Sequence, residues 1–272
     1  MEPTRLEIPG VAGELFMYTH PANDIYISEA IRGNRNWEPF ETGVLIANLG
    51  PGDTMVDLGA NIGYYSLVAA AVVGETGRVY AFEPDAGNFE LLRRNVELNG
   101  FRQIDARNVA VSDARGTARL FLSGDNQGDH RIFAPGDGEE TGRAFVDVAC
   151  VDFDSLAEAE GISPDVIKID TQGAEAAILR GMSRLAARRR GRMKMLLEFW
   201  PYGLRAAGSS AEEMLSILEG FGLEISVIDN DARSMVRMSR EEILEAIKDR
   251  RYTEFQGFLN FLAEPANGGV LK

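Results

Sequence analysis

The sequence predicts an α/β fold, a mostly parallel sheet with helices on both faces, and three observations carry that expectation. Short runs rich in Val, Ile and Leu recur along the chain and read as buried strands. The stretches between them place apolar residues at helical spacing. Four of the apolar runs end on polar residues, at Asp57, Glu83, Asn108 and Asp170, where an open α/β sheet places its ligands.

The elements follow in order. Residues 1–18 carry weak signals and allow a short strand or hairpin. Asp24 then precedes Ile27, Ala30 and Ile31 at helical spacing, with Gly33 as the stop, and a second helical stretch over 44–49 ends at Gly50-Pro51-Gly52. Strand 56–58 leads into helix 62–73, and strand 78–82 ends on Glu83-Pro84. Helix 86–99 sets Phe89, Leu92 and Val96 on one face before Gly100, and 106–111 is the third strand. The alternation then breaks: 116–122 and 145–151 read as a pair of exposed strands around 123–143, a Gly-, Asp- and Glu-rich stretch expected to be a mobile insertion near the substrate. Asp154 or Ser155 caps a short helix to Glu160, strand 166–169 ends at Asp170, and 174–188 is a helix. Strand 193–197 ends at Glu198, Ser210 caps 211–220, and strand 223–228, helix 240–250 and a last strand over 255–262 complete the chain. With no repeat or linker, 1–272 reads as one domain: a helical leader (1–50), a core (51–264) and, within it, the hairpin insertion (112–151).

Composition narrows the function. A hydrophobic fraction of 45% and a charged fraction of 26% are ordinary for a soluble globular chain. The net charge of −14 argues against a phosphate-backbone partner, so no nucleic acid is expected. The basic run Arg188-Arg189-Arg190-Gly191-Arg192 reads as the last turn of a helix. The lone Cys150 cannot form an intrachain disulfide. There is neither a secretory leader nor an apolar run of about 18 residues, so no membrane partner and a cytoplasmic location are expected. A homo-oligomer stays open, because an apolar patch is visible only in coordinates.

The first strand delivers Asp57 and then Gly59, Asn61 and Gly63 ahead of a helix, the layout of a nucleotide-binding turn. The dinucleotide fingerprint is incomplete, because Asn61 stands between the two glycines. An acid at Asp57 also repels pyrophosphate, whereas S-adenosylmethionine carries two positive centres and no phosphate. Glu83, ending the second strand, can accept both ribose hydroxyl protons, a device dehydrogenases share. Further on, Lys168 and Asp170 share one side of a buried strand, and a lysine there needs a partner, with Glu175 or Asp57 expected.

Taken together, Asp-Leu-Gly-Ala-Asn-Ile-Gly-Tyr-Tyr-Ser (57–66), Phe-Glu-Pro (82–84), Asn-Val-Ala-Val-Ser-Asp (108–113) and Lys-Ile-Asp-Thr-Gln-Gly-Ala-Glu (168–175) resemble the FkbM-family methyltransferases, from about residue 37 to 199. The resemblance implies a class I methyltransferase (Rossmann-like) fold, with a seven-stranded, mostly parallel sheet whose last strand runs antiparallel. It implies S-adenosyl-L-methionine as cofactor and a hydroxyl on a small molecule (a polyketide, sugar or other metabolite) as acceptor. It sets the methionine part over Asp57, Gly59, Asn61 and Gly63, the ribose on Glu83, and the adenine near Asn108, Val109 and Ala110. Glu38, in the Trp-Glu-Pro leader motif, would close over the cofactor. Position 172, often Glu in the family, is Gln here and receives no acid–base role.

Transfer to a hydroxyl needs a near-attack arrangement and a base within about 3 Å. Asp170, also beside the cofactor, leads the candidates, followed by His130 and Glu198, and the three could act together, one carboxylate orienting the histidine. Asp170, Glu198 and a loop residue could hold Mg²⁺, but no ligand spacing supports it, so no metal is expected. The rivals are a nicotinamide-dependent oxidoreductase, a nucleic-acid methyltransferase on the same core, and a catalytically silent cofactor-binding scaffold.

Overall fold

The computed structural model describes residues 2–22, 24–134, 143–253 and 257–266. A hairpin of β1 (Thr4–Leu6) and β2 (Leu15–Met17) opens the chain, followed by α1 (Ile27–Asn34) and α2 (Pro39–Ala47), the latter started by Pro39 at its first position. The core then alternates: β3 (Thr54–Leu58), α3 (Tyr64–Val73), β4 (Arg78–Phe82), α4 (Ala86–Asn99) and β5 (Ile104–Arg107). After them come β6 (Ala110–Ser112), β7 (Gly116–Phe121), β8 (Phe145–Asp152), α5 (Phe153–Glu160) and β9 (Val166–Ile169). The chain closes with α6 (Glu175–Arg180), α7 (Ser183–Arg188), β10 (Lys194–Phe199), α8 (Pro201–Ala206), α9 (Ala211–Gly220), β11 (Leu223–Asp229), β12 (Ser234–Met238), α10 (Arg240–Ala246), α11 (Arg250–Thr253) and β13 (Leu259–Pro265).

The main sheet runs β12-β11-β13-β10-β9-β3-β4-β5. Pairings from β10 to β5 are parallel, and β13 is antiparallel to both β10 and β11. The expected α/β sheet with an antiparallel last strand is therefore present. The count differs, because β12 pairs antiparallel with β11 and adds an eighth strand at the edge. Its half-exposed Met235 and Val236 give it no core alternation, which is why the sequence hid it.

Other boundaries move for local reasons. The third strand splits at Asn108–Val109, so that β6 leaves the main sheet and joins β8 and β7 in a separate three-stranded sheet. Helix 174–188 breaks at Gly181, where a Cβ would lie 2.2 Å from the Ser112 carbonyl oxygen. Asp152, rather than Asp154 or Ser155, caps α5 by accepting from the Ser155 amide at 2.9 Å. The last strand lies at 259–265, later than expected. Of the insertion, 135–142 falls outside the described residues, and 123–134 fold back so that Arg131 bridges Phe121. Two buried clusters flank the sheet, one under α5, α6, α7 and α9, the other under α2, α3 and α4. Among the described residues no helix is long and apolar enough to cross a membrane.

Candidate active site

The turn after β3 is shaped by close contact between two strand ends. Gly59 has φ +81°, and a Cβ there would lie 1.9 Å from the Asp170 carbonyl oxygen, so only glycine lets β3 and β9 end side by side. The Gly59 and Ala60 amides both donate to the Phe82 carbonyl at 3.0 Å. Asn61, itself left-handed at φ 50°, donates its amide to Glu83 Oε2 at 2.8 Å and its Nδ2 to the Gln127 carbonyl at 2.9 Å. Glu83 also accepts from the Asp85 amide at 2.9 Å. Its carboxyl is buried, and burial pushes its pKa up to about 8 against the pull of those two amides.

A cleft opens above this turn. Its floor is Gly59 and Asn61, one wall is Phe82, Glu83, Val109 and Ala110, and Gln127, Gly128, His130 and Ile132 of the insertion form the other. Asp170, Thr171 and Gln172 close its far end. No lysine or arginine is among its described lining residues, so it offers no counter-charge for pyrophosphate. An apolar slot beside a buried carboxylate fits an adenosine, and the donor set fits a sulfonium nucleoside better than a dinucleotide. Asn108 does not line the cleft. Its Nδ2 donates to the Glu83 and Pro84 carbonyls, both at 2.9 Å, and so fixes the wall loop.

Beside the cleft, carboxyls crowd around one lysine. Lys168 Nζ lies 2.8 Å from Asp170 Oδ2 and 4.4 Å from the Tyr65 ring centroid. The expected partners Glu175 and Asp57 are engaged elsewhere: Glu175 accepts from the Thr171 and Gly173 amides, and Asp57 from Ser66 Oγ at 2.6 Å. Asp57 is 1% exposed and borders a smaller chamber with Trp37, Tyr65, Lys168 and Asp170. Tyr65 donates its hydroxyl to Glu38 Oε2 at 2.8 Å. Gln172 Nε2 bridges Asp170 Oδ1 at 3.0 Å and Glu198 Oε2 at 2.9 Å. Burial raises the carboxyls of Glu38, Asp57 and Glu198 above the usual range, and that of Glu41 to about 8.

The three candidate bases are thus arranged unequally. Asp170 and Glu198 meet through Gln172, whereas His130 stands in the insertion wall. His130 Nδ1 accepts from the Ser123 amide at 3.1 Å, and burial lowers its pKa. The neutral ring then carries its proton on Nε2 and offers the cleft a donor, not a base. Its Nδ1 partner is a backbone amide, so the carboxylate-oriented histidine considered from sequence is not what forms. Among the described residues, no group of three His, Cys, Asp or Glu side chains has a metal-binding arrangement. Sequence reasoning missed Glu41, Tyr65, the bridging Gln172 and Gln127, whose roles come from long-range contacts that no local spacing reveals.

The chain matches the methyltransferase FkbM domain over residues 57–225. It is similar to a probable cobalt-precorrin-6B C(15)-methyltransferase (decarboxylating) of Sulfolobus acidocaldarius, 41% identical over 59 residues, which are 22% of this chain and 31% of that protein's length. Among solved structures it resembles methyltransferase FkbM of Methylobacillus flagellatus KT, at 19% identity and TM-score 0.43, covering 77% of this chain and 43% of that one. It also resembles Aeropyrum pernix fibrillarin with natively bound S-adenosyl-L-methionine, at 14% identity and TM-score 0.43, over 82% and 73% of the two chains. The family match alone spans more than half of the sequence, and the chain belongs to the FkbM family of S-adenosylmethionine-dependent methyltransferases.

Proposed function

We propose that the protein methylates a hydroxyl on a small molecule. The observation that carries this reading is Asp170, a strand-end carboxylate that lines the cofactor cleft while Lys168 and Gln172 hold its two oxygens. S-adenosylmethionine supplies the electrophilic methyl group when bound. Glu83 would accept from its ribose, Phe82 and Val109 would enclose the adenine, and the close Gly59–Asp170 approach would let the methionine end reach the backbone. Asp170 takes the hydroxyl proton as the acceptor oxygen attacks in line, and Gln172 fixes its orientation. Glu198, raised by burial and by the neighbouring Asp170 and Glu175, holds its proton to higher pH and serves to orient rather than to accept. Gln127, Gly128, His130 and Ile132 of the insertion wall the cleft. A net charge of −14 favours a small acceptor over a phosphate backbone.

The test is incubation of purified protein with labelled S-adenosylmethionine and a small-molecule extract of the producing cells. The reading expects a product that has gained one methyl on oxygen. It also expects Asp170→Asn to lower kcat by roughly a hundredfold or more, with affinity for S-adenosylhomocysteine retained. A methyl found on carbon or nitrogen, or full activity of the variant, overturns it.

A further inference from the structure

The carboxyl cluster is larger than proton transfer requires. Glu38, Glu41, Asp170 and Glu198 all act electrostatically on Lys168 or on one another, so four acids face one lysine. Three of them have fixed partners: Tyr65 for Glu38, Lys168 and Gln172 for Asp170, and Gln172 for Glu198. Glu41 differs. It is 5% exposed, with Glu38, Lys168 and Asp170 as charged neighbours and the Asn230 side chain bonded to its carboxyl, yet its Oε2 is buried with no hydrogen-bond partner. A buried carboxylate oxygen without a donor is costly unless a ligand supplies one.

Part of the cluster, Glu41 and Glu198, lies beyond the adenosine cleft. Glu198 ends β10, and the Glu41 amide donates to the side chain of Asn230, just past β11. Both strands lie beyond β9 in the direction away from β3 and β4, whose ends carry the glycine turn and Glu83. Three strand spacings separate β11 from β9, roughly 14 Å. Neither Glu41 nor Glu198 borders the adenosine cleft. Asp170, Glu38 and Glu198 keep partial exposure, whereas Glu41 is buried.

We infer that the acceptor carries a protonated amine near its reacting hydroxyl, and that the Glu38–Glu41–Asp170–Glu198 cluster holds this ammonium. An ammonium brings three donors, one of which meets the unpartnered Oε2 of Glu41 and others Glu38 and Asp170. This offsets the excess of negative charge and fixes the neighbouring hydroxyl against Asp170. The raised carboxyl of Glu41 fits the arrangement, because a cation arriving there displaces its proton. This inference rests on the methyl-transfer reading above.

The experiment divides one small-molecule extract in two. One half is treated with aqueous acetic anhydride and then hydroxylamine, so that amines stay acetylated and hydroxyls are freed. Both halves are incubated with protein and labelled S-adenosylmethionine. Labelled product from the untreated half alone, with the methyl on oxygen, supports the inference, and a methyl on the amine nitrogen overturns it. Equal labelling of both halves overturns it and leaves methyl transfer standing, and labelling of neither removes the methyl-transfer reading as well. With the untreated acceptor, Glu41→Gln is expected to raise the acceptor KM about tenfold or more, with kcat and the KM for S-adenosylmethionine little changed. An unchanged acceptor KM, or a rise confined to S-adenosylmethionine, contradicts the assignment.

Discussion

Replacing Lys168 by methionine probes the electrostatics of the site most severely. The side chain is 4% exposed and supplies the cation among Glu38, Glu41, Asp57 and Asp170. Methionine keeps the length and apolar contact of the lysine stem and removes only the charge. Breaking a buried pair by deleting one partner costs about 3–5 kcal/mol. Asp170 is 35% exposed and regains some water, so the lower end, about 3 kcal/mol, is expected here. For a chain of this size that is a fall in Tm of roughly 6–12 °C. The pH dependence follows from the sign of the shifts. Burial already raises the carboxyls of Glu38, Glu41 and Asp57, and Lys168 opposes that rise. Without it they rise further. A carboxyl whose folded pKa is raised contributes stability below its unfolded pKa and loses it as pH climbs through the folded value. The deficit should therefore be smaller near pH 5 and grow toward pH 8. Urea denaturation of wild type and Lys168→Met at both pH values measures it. A deficit equal at the two pH values, or a variant more stable than wild type at pH 8, refutes the reasoning.

Three further outcomes are expected. Gly59→Ala would set a methyl 1.9 Å from the Asp170 carbonyl oxygen at a left-handed backbone; it should lower Tm measurably and abolish S-adenosylhomocysteine binding by calorimetry, and wild-type affinity would contradict the turn assignment. Glu83→Gln replaces one acceptor by a donor facing the Asn61 or Asp85 amide; cofactor affinity should fall about ten- to a hundredfold in the same titration. Glu41→Gln removes a carboxyl whose pKa of about 8 makes it destabilising above its ordinary range; the variant should exceed wild type in stability at pH 8 and match it near pH 4.5 in urea melts, the trade-off expected of a binding residue.

Much of this architecture was legible because each signal was local. Alternating apolar strands and helices gave the sheet, and strand-end polar residues pointed to Asp57, Glu83 and Asp170 without any coordinates. The parts that were hidden depend on contacts between distant segments. Lys168 could be seen to need a partner, yet the choice of Asp170 over Glu175 or Asp57 depends on amides and a serine that had already taken the other two. The break at Gly181 is set by Ser112, nearly seventy residues earlier. Histidine suits a base by residue type, but burial lowers the pKa of His130 and the Ser123 amide occupies its Nδ1, leaving Nε2 as a donor. The insertion was expected near the substrate; its described part reaches the cofactor turn, where Gln127 receives Asn61 and Asn88. Strand β12 has no apolar alternation to announce it and exists because β11 offers it an edge.

The most direct test of the account is a crystal structure grown with S-adenosylhomocysteine. It should show the ribose hydroxyls on Glu83, the adenine between Phe82 and Val109, and the sulfur facing Asp170. A ligand whose ribose points away from Glu83, or one bound outside the β3–β4 cleft, would contradict it.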